Sequence, residues 1–113
     1  MKIITDAITL NEVNEIAARG FGDMVKAVVD VERELIALDA ELHADLEALL
    51  LENGSKQRGL WGINFYPAAK ADEWVEFDSM INMRPSQGNR SRGVESEATR
   101  KKIMAIVGKR ITR

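Results

Sequence analysis

The sequence contains no cysteine, and this absence removes several classes of site and enzyme. A chain without thiols forms no disulfide framework, no thiolate zinc site and no cysteine nucleophile. Histidine is nearly absent too, since His43 is the single residue that could supply an imidazole. Acid–base chemistry near neutral pH would therefore depend on His43 or on a carboxylate such as Asp78.

Long apolar runs are also missing from the sequence. No segment approaches the ~20 apolar residues that a membrane helix requires. The first ten residues, MKIITDAITL, lack the basic region and the apolar segment of a signal peptide. We therefore expect a cytoplasmic protein without a membrane segment. The 113 residues are expected to form one domain, residues 1–113, around one core.

Charges of the two signs are unevenly distributed, although the formal net charge is only −2. Residues 1–80 carry 7 Lys+Arg against 16 Asp+Glu, whereas residues 81–113 carry 9 against 2. This split favours an acidic partner for the C-terminal third, nucleic acid included. It favours equally an attraction between the two parts, within one molecule or between the subunits of a homodimer. Both interpretations stay open at this point.

Local patterns predict a helix and then a β-hairpin in the first forty residues. Thr9 and Glu12 have the spacing of a capping box, and the apolar residues after them predict a helix at about 10–19, ended by two glycines. Residues 24–31 are rich in β-branched side chains, and an apolar pattern resumes at 35–38 after a charged pair. These two segments are expected to pair as a hairpin.

The remaining patterns repeat that order of elements. The leucines of residues 42–51 form one helical face, and Asn-Gly follows as a stop signal. Residues 61–66 and 75–83 alternate apolar and polar side chains, which predicts a second hairpin. Residues 94–111 begin with acidic and end with basic side chains, as a third helix would.

The order is thus an N-terminal helix followed by two ββα units. Hairpins with helices between them most simply form an α+β fold. We predict a four-stranded, mainly antiparallel sheet with the helices packed on one face. The other face would then be exposed to solvent or would carry the site.

A polar loop follows the last predicted strand and is the best candidate for a site. Asp78–Gly93 contains three arginines with no acid between them, together with amide side chains and turn-forming residues. Guanidinium groups match carboxylate and phosphate oxygens. GxxxxGK[ST] and GxGxxG are both absent, so the loop is neither a P-loop nor a dinucleotide fingerprint, and any cofactor stays unknown. We predict that an anionic ligand, a phosphate-bearing small molecule or nucleic acid, contacts the loop through Asn82, Arg84, Gln87, Asn89, Arg90 and Arg92.

Other functions remain open. A phosphoester hydrolase could use His43 and Asp78 beside the same loop, with the arginines stabilising developing charge. Alternatively, the arginines could neutralise carboxylates of their own domain, and the protein could be a structural or interaction module that self-associates. His43 and Glu47 have the i, i+4 spacing of a metal pair, but one histidine with carboxylates is more typical of a solvated helix start, so we predict no metal site.

Arg84 should differ from the two other arginines because it ends the predicted strand. A partly buried guanidinium needs an acceptor. Asp78 is too far along the same strand to pair with it directly. We therefore expect Arg84 to donate to a carboxylate of a neighbouring strand or to a loop carbonyl, whereas Arg90 and Arg92 should lie in the loop and act on a ligand.

Four stretches of the sequence resemble one known family. They are ELHAD (41–45), ALLLENGS (48–55), LWGINFYP (60–67) and EFDSMINMRPSQGNRSRGVE (76–95). The sequence from about residue 23 onward is similar to a family of small uncharacterised prokaryotic proteins, catalogued as a domain of unknown function. That family has no assigned activity, ligand or catalytic residues, so the resemblance implies no function.

Overall fold

A sheet with helices on both faces forms the centre of the protein. The computed structural model describes residues 1–71 and 73–113. Within them the strands are Lys2–Ile4 (β1), Ile8–Thr9 (β2), Val25–Asp30 (β3), Leu35–Leu38 (β4), Leu60–Phe65 (β5), Val75–Glu76 (β6) and Ile111–Thr112 (β7). The helices are Leu10–Arg19 (α1), His43–Glu52 (α2) and Glu97–Arg110 (α3).

Five of these strands form the main sheet in the order β1-β4-β3-β5-β6, and every pairing in it is antiparallel. The strands β2 and β7 pair separately and in parallel, so that residues near the two ends of the sequence lie side by side. The α+β class is confirmed. The prediction of four strands is wrong because β1 adds to the edge of β4, a pairing that no local signal announces.

The N-terminal helix has the predicted bounds. Thr9 Oγ1 accepts a hydrogen bond from the backbone N–H of Glu12 at 3.1 Å, and the carboxylate of Glu12 accepts one from the N–H of Thr9 at 3.4 Å. This capping box satisfies N–H groups that have no acceptor within the helix. The first hairpin is also confirmed, since β3 and β4 pair from Ala27↔Leu38 to Asp30↔Leu35.

Two apolar clusters lie on opposite faces of the sheet. On one face, Val29 and Ile63 pack with residues of α1 and α3. On the other face, Val28 and Ala37 pack with Leu46 and Leu50 of α2. The prediction that all helices lie on one face is therefore wrong. The sequence pattern was consistent with this result, because all four residues of β4 are apolar and buried, as in strands covered on both faces.

The second hairpin is much shorter than its pattern predicts. Only Asn64↔Glu76 and Phe65↔Val75 pair, so the two-residue β6 replaces the predicted strand 75–83 and the two ββα units are not reproduced. The chain then leaves the sheet, and Met80–Asn82 forms a 3₁₀ turn. The apolar residues at 81 and 83 alternate with polar ones, but no strand of the described residues pairs with them.

Basic residues of the C-terminal third make contacts with the rest of the chain. Lys109 pairs with Glu34 at 2.8 Å, and Arg110 donates to the carbonyls of Glu34 and Asp6. Part of the basic C-terminal third therefore interacts with the acidic remainder of the same molecule. Among the described residues, no helix combines the length and the apolar character needed to cross a membrane.

Candidate functional site

A row of polar side chains crosses three strands on the face that α2 covers. Lys26 of β3 lies opposite Asn64 of β5, which in turn lies opposite Glu76 of β6. Side chains that are directly opposite in a sheet share a face and have Cβ atoms about 5 Å apart. Tyr66 follows two residues after Asn64 and joins the same side of the sheet. The sheet thus places a cation, an amide and a carboxylate in one line.

His43 lies above this row because α2 begins there. Its Nε2 lies 2.8 Å from the carbonyl oxygen of Ile63, and this contact requires Nε2 to carry the proton and donate. Burial lowers the pKa of His43, and the charge of Lys26 lowers it further, whereas the hydrogen bond with Ile63, the nearby amide of Asn64 and the charge of Asp78 raise it. The imidazole is therefore neutral at pH 7, with its lone pair on Nδ1.

The lack of a side chain at Gly62 leaves space for the imidazole of His43. A Cβ on Gly62 would meet the Oγ of Ser79 at 2.6 Å and Cδ2 of His43 at 3.2 Å. The absence of a side chain lets both residues approach the backbone of β5.

Glu76 accepts hydrogen bonds from two of its neighbours. Its Oε1 receives one from Asn64 Nδ2 at 2.9 Å and one from the hydroxyl of Tyr66 at 3.3 Å. Burial raises the pKa of Tyr66, and the negative charge of Glu76 raises it further, so the hydroxyl stays protonated and donates. Asn64 is only 5% exposed, and its Oδ1 has no hydrogen-bond donor among the described residues. A buried acceptor of this kind is uncommon in folded proteins.

Asp78 and Arg92 lie beyond β6 and close this side of the site. Arg92 Nε donates to Asp78 Oδ1 at 2.7 Å, in a pair whose side chains are 55% and 42% exposed. No other hydrogen bond of the Arg92 guanidinium occurs within residues 1–71 and 73–113. Asp78 therefore fixes the orientation of Arg92 and leaves both Nη groups for a further acceptor.

These polar residues surround a cleft of about 360 Å³, which we call the His43 cleft. Its polar lining is Lys26, His43, Asn64, Tyr66, Glu76, Ser79, Asp78 and Arg92, and its apolar lining is Met24, Leu42, Ala44, Met80 and Ile81. The charges of Lys26 and Arg92 balance those of Glu76 and Asp78 when His43 is neutral. A volume of this size suits a small molecule.

The loop after β6 has a second role, which is to complete the edge of β5. Gly62 donates its N–H to Asn82 Oδ1 at 2.8 Å, and Asn82 Nδ2 donates to the carbonyl of Gly62 at 3.0 Å. The side-chain amide of Asn82 thus makes both hydrogen bonds that a residue of a neighbouring strand would make. Asn82 is fully buried.

Arg84 continues this edge contact. Its Nη2 donates to the carbonyl of Leu60 at 2.6 Å, its Nη1 donates to the carbonyl of Gln57, and its guanidinium carbon lies 4.1 Å from the ring centroid of Trp61. Burial lowers the pKa of Arg84, partly offset by the negative charge of Glu47. The expectation of an internal acceptor is confirmed, and the acceptors are carbonyls.

The other predicted loop residues divide into buried and exposed positions. Asn89 is buried and donates to the carbonyls of Asn82 and Gly93, while its Oδ1 accepts from the N–H of Glu95. Glu95 in turn accepts from the N–H groups of Arg90 and Ser91, and these bonds lower its pKa. The side chains of Gln87 and Arg90 are exposed.

The structure thus brings together some of the predicted residues and separates others. His43 and Asp78 line the same cleft, and of the three arginines Arg92 joins them, whereas Arg84 lies at the edge of β5. The sequence analysis did not select Lys26 and Glu76. Lys26 had a signal, since it is the only charge among the apolar residues 24–29, whereas the position of Glu76 opposite Asn64 depends on a register that the sequence does not fix.

Metal binding has little support from the side chains that the structure describes. Outside the single position left undescribed, no group of three or more His, Asp and Glu residues is arranged to hold an ion. Nε2 of His43 is hydrogen-bonded to the carbonyl of Ile63, so it is not free to bind a metal ion. The negative charge of Glu47 acts on Arg84.

Comparison with known proteins yields one match. A family model described as "Protein of unknown function (DUF5674)" matches residues 2–110. No curated protein and no solved structure matches the chain. The description names neither an activity nor an organism, so the geometry of the site is the only guide to function.

Proposed function

Because the chain belongs to the DUF5674 family, whose members have no assigned function, we propose from the geometry alone that it binds a small phosphate-bearing ligand in the His43 cleft. One observation carries the proposal. Lys26 on β3 and Arg92 in the loop flank β5 from opposite sides and both line the cleft. Two cations that converge from different elements are typical of phosphate sites.

The hydrogen bonds around the cleft support this assignment. Arg92 is oriented by Asp78 through Nε, so its Nη groups can form a bidentate contact with phosphate oxygens. Glu76 is held by Asn64 and Tyr66 and has a second oxygen, Oε2, that can accept from a ligand hydroxyl. Carboxylates often bind sugar hydroxyls in this way. The cleft therefore suits a ligand with a phosphate and hydroxyl groups.

A small molecule fits better than nucleic acid. The formal net charge is −2, whereas nucleic-acid-binding domains usually present a basic surface. The predicted loop residues Asn82, Arg84 and Asn89 are engaged with the chain itself, and only Gln87, Arg90 and Arg92 are exposed. We therefore place the phosphate at Arg92. A substitution of Arg90 tests whether the outer part of the loop also binds the ligand.

Titration calorimetry with inorganic phosphate, ribose 5-phosphate and a short single-stranded DNA, each at about 50 and 200 mM salt, tests the proposal. Ribose 5-phosphate should bind, and Arg92→Gln and Lys26→Gln should each weaken it about tenfold or more, the usual effect of losing a charged hydrogen bond. Lys101→Gln, on the exposed surface of α3, is the charge-matched control and should bind normally.

Three results would contradict this assignment. If no phosphate compound bound at low salt, the proposed function would be refuted. An effect of Arg90→Gln as large as that of Arg92→Gln would move the site to the outer loop. Strong, salt-dependent binding of the DNA with weak binding of ribose 5-phosphate would replace the small molecule by nucleic acid.

Hydrolysis of a phosphoester is the second candidate function, because His43 and Asp78 line the same cleft as Arg92. A neutral imidazole with its lone pair on Nδ1 can accept a proton from water. We expect phosphate release from a bound phosphomonoester, reduced on the order of a hundredfold in His43→Gln with binding retained. A colorimetric phosphate assay measures this. Equal release by both proteins would exclude His43 as the base.

A further inference from the structure

A second cavity adjoins the His43 cleft and contains an exposed aromatic ring. This cavity, the Phe21 cavity, has a volume of about 350 Å³ and lies where α1 ends and β3 begins. It shares Met24 and Lys26 with the His43 cleft. The two cavities are therefore adjacent, and Lys26 lines both of them.

Phe21 lies in the turn between Gly20 and Gly22 and is 47% exposed. Lys26 Nζ lies 5.4 Å from the centroid of its ring. Single exposed apolar residues are common and need no explanation. Phe21 differs from them because its ring lies beside a cavity and beside a cation already assigned to phosphate.

The spacing of these two groups fits one class of ligand. In a mononucleotide the base and the phosphate are joined by a single sugar, so they lie several ångströms apart. A base stacked on Phe21 would therefore place its phosphate on the Lys26 side of the His43 cleft, which Arg92 also lines. The sugar would lie between the base and the phosphate, beside Lys26. Besides Phe21, the rings that line the two cavities in the described chain are the imidazole of His43 and the phenol of Tyr66, both in the His43 cleft.

The walls of the Phe21 cavity add contacts for the edge of a base. Asp39 and Glu41 supply carboxylates, which accept from exocyclic amino groups, and Arg19 supplies donors. Asp39 adopts a left-handed backbone conformation with φ 73°, at the point where the chain leaves β4. Ile16 and Met24 supply apolar surface. Such a mixture is typical of a base pocket, in which stacking gives affinity and a few polar groups give selectivity.

We propose that the ligand is a nucleoside monophosphate with an amino-bearing base, which spans both cavities, with its base on Phe21 and its phosphate between Lys26 and Arg92. This inference rests on the proposed function. It adds Phe21, Asp39 and Glu41 to the binding site and makes Lys26 the residue that joins the two cavities.

Affinities for AMP and ribose 5-phosphate, measured by calorimetry, test the inference, because the two compounds differ by the base alone. We expect AMP to bind about tenfold or more tightly than ribose 5-phosphate, the usual gain from base stacking on an aromatic ring. Phe21→Ala should remove this difference, so that the variant binds AMP and ribose 5-phosphate with equal affinity. Leu51→Ala, an exposed apolar residue of α2 outside both cavities, should preserve the difference.

A gain of signal provides a second measurement. Trp61 and Trp74 are buried, so Phe21→Trp introduces an exposed indole. AMP should quench its fluorescence and ribose 5-phosphate should not. Equal affinities for the two compounds, unchanged by Phe21→Ala, would overturn this inference and leave the proposed function standing. Binding of neither compound would overturn both.

Discussion

Asn82 does with one side chain what a neighbouring strand does with its backbone. A side-chain amide carries a carbonyl and an N–H group in the same arrangement as a peptide, so it can replace one residue of a ladder. Because Asn82 forms two hydrogen bonds with the backbone of Gly62, the chain can leave the sheet after β6 while these N–H and C=O groups of β5 keep hydrogen-bond partners. A polar residue that alternates with apolar ones can therefore be internal rather than part of a solvent-facing strand.

Arg84 and Arg90 should respond very differently to truncation. Arg84→Ala removes donors from the buried carbonyl of Leu60 and the part-buried carbonyl of Gln57 and also a contact with Trp61, so the free energy of unfolding should fall by more than ~1 kcal/mol. Arg90→Ala removes an exposed side chain and should change it by less than ~0.5 kcal/mol. Arg92→Ala breaks only an exposed ion pair and should resemble Arg90→Ala. Urea denaturation measures all three, and equal losses would refute the distinction.

At the scale of elements, β5 depends on a residue without a side chain. Gly62→Ala would place a Cβ against Ser79 and His43, which are held by the 3₁₀ turn and by α2. Overpacking of this kind should lower the free energy of unfolding by about 1–3 kcal/mol. Gly108→Ala is the matched control, because Gly108 lies inside α3 with nothing within 4 Å of its Cβ position.

The control should change stability in the opposite direction. Alanine in a helix interior is favoured over glycine by up to about 1 kcal/mol. Thermal or urea unfolding of both variants is the measurement. A stable Gly62→Ala protein would mean that Ser79 and the His43 ring can move away from β5 at little cost.

Elements with local signals were predictable from the sequence, and elements that depend on distant partners were not. The capping box of Thr9 and Glu12 fixes the start of α1 within four residues, so its bounds are correct. The pairing of β1 with β4 and the position of α2 on the second face depend on contacts between distant segments. The alternation in 75–83 gave a false strand because Asn82 imitates one.

The site was predictable in part for the same reason. The amide and arginine side chains after β6 form a structured polar loop, yet half of the predicted ligand residues are buried and bonded within the chain. His43 and Asp78 were recognised as chemically capable groups, but only the fold brings them into one cleft. Lys26 was missed because a single charge in a strand has no meaning until its cross-strand neighbours Asn64 and Glu76 are known.

For the whole molecule, His43 should make stability depend on pH. Its folded pKa is lowered, so near pH 6.5 the unfolded chain takes up a proton while the folded chain does not. The contribution of His43 to the free energy of unfolding is fully present above about pH 6.5. It should be lost as the pH falls toward the pKa of His43 in the folded protein. Urea denaturation of the wild type and of His43→Gln between about pH 5 and 8 measures it.

The stability advantage of the wild type over His43→Gln should shrink as the pH decreases through that range. Lys26 and Asp78 are the charged groups that act on the imidazole, and their opposite effects make burial the deciding cause. An advantage that stayed constant would show that folding does not shift the pKa of His43, and one that grew below pH 6.5 would show that the folded protein binds this proton more tightly than the unfolded chain.

The covered edge of β5 also bears on how copies of the protein behave at high concentration. An uncovered strand edge can add to the edge of another molecule, and repeated addition leads to aggregation and amyloid. β3 pairs with the whole of β5 on one edge, but the two-residue β6 leaves most of the other edge without a neighbouring strand. The residues of β5, Leu60–Phe65, are all buried and rich in apolar and aromatic side chains. Asn82 and Arg84 occupy the hydrogen-bonding groups there. The loop that resembles a binding loop thus also covers an edge to which a second molecule could otherwise add a strand.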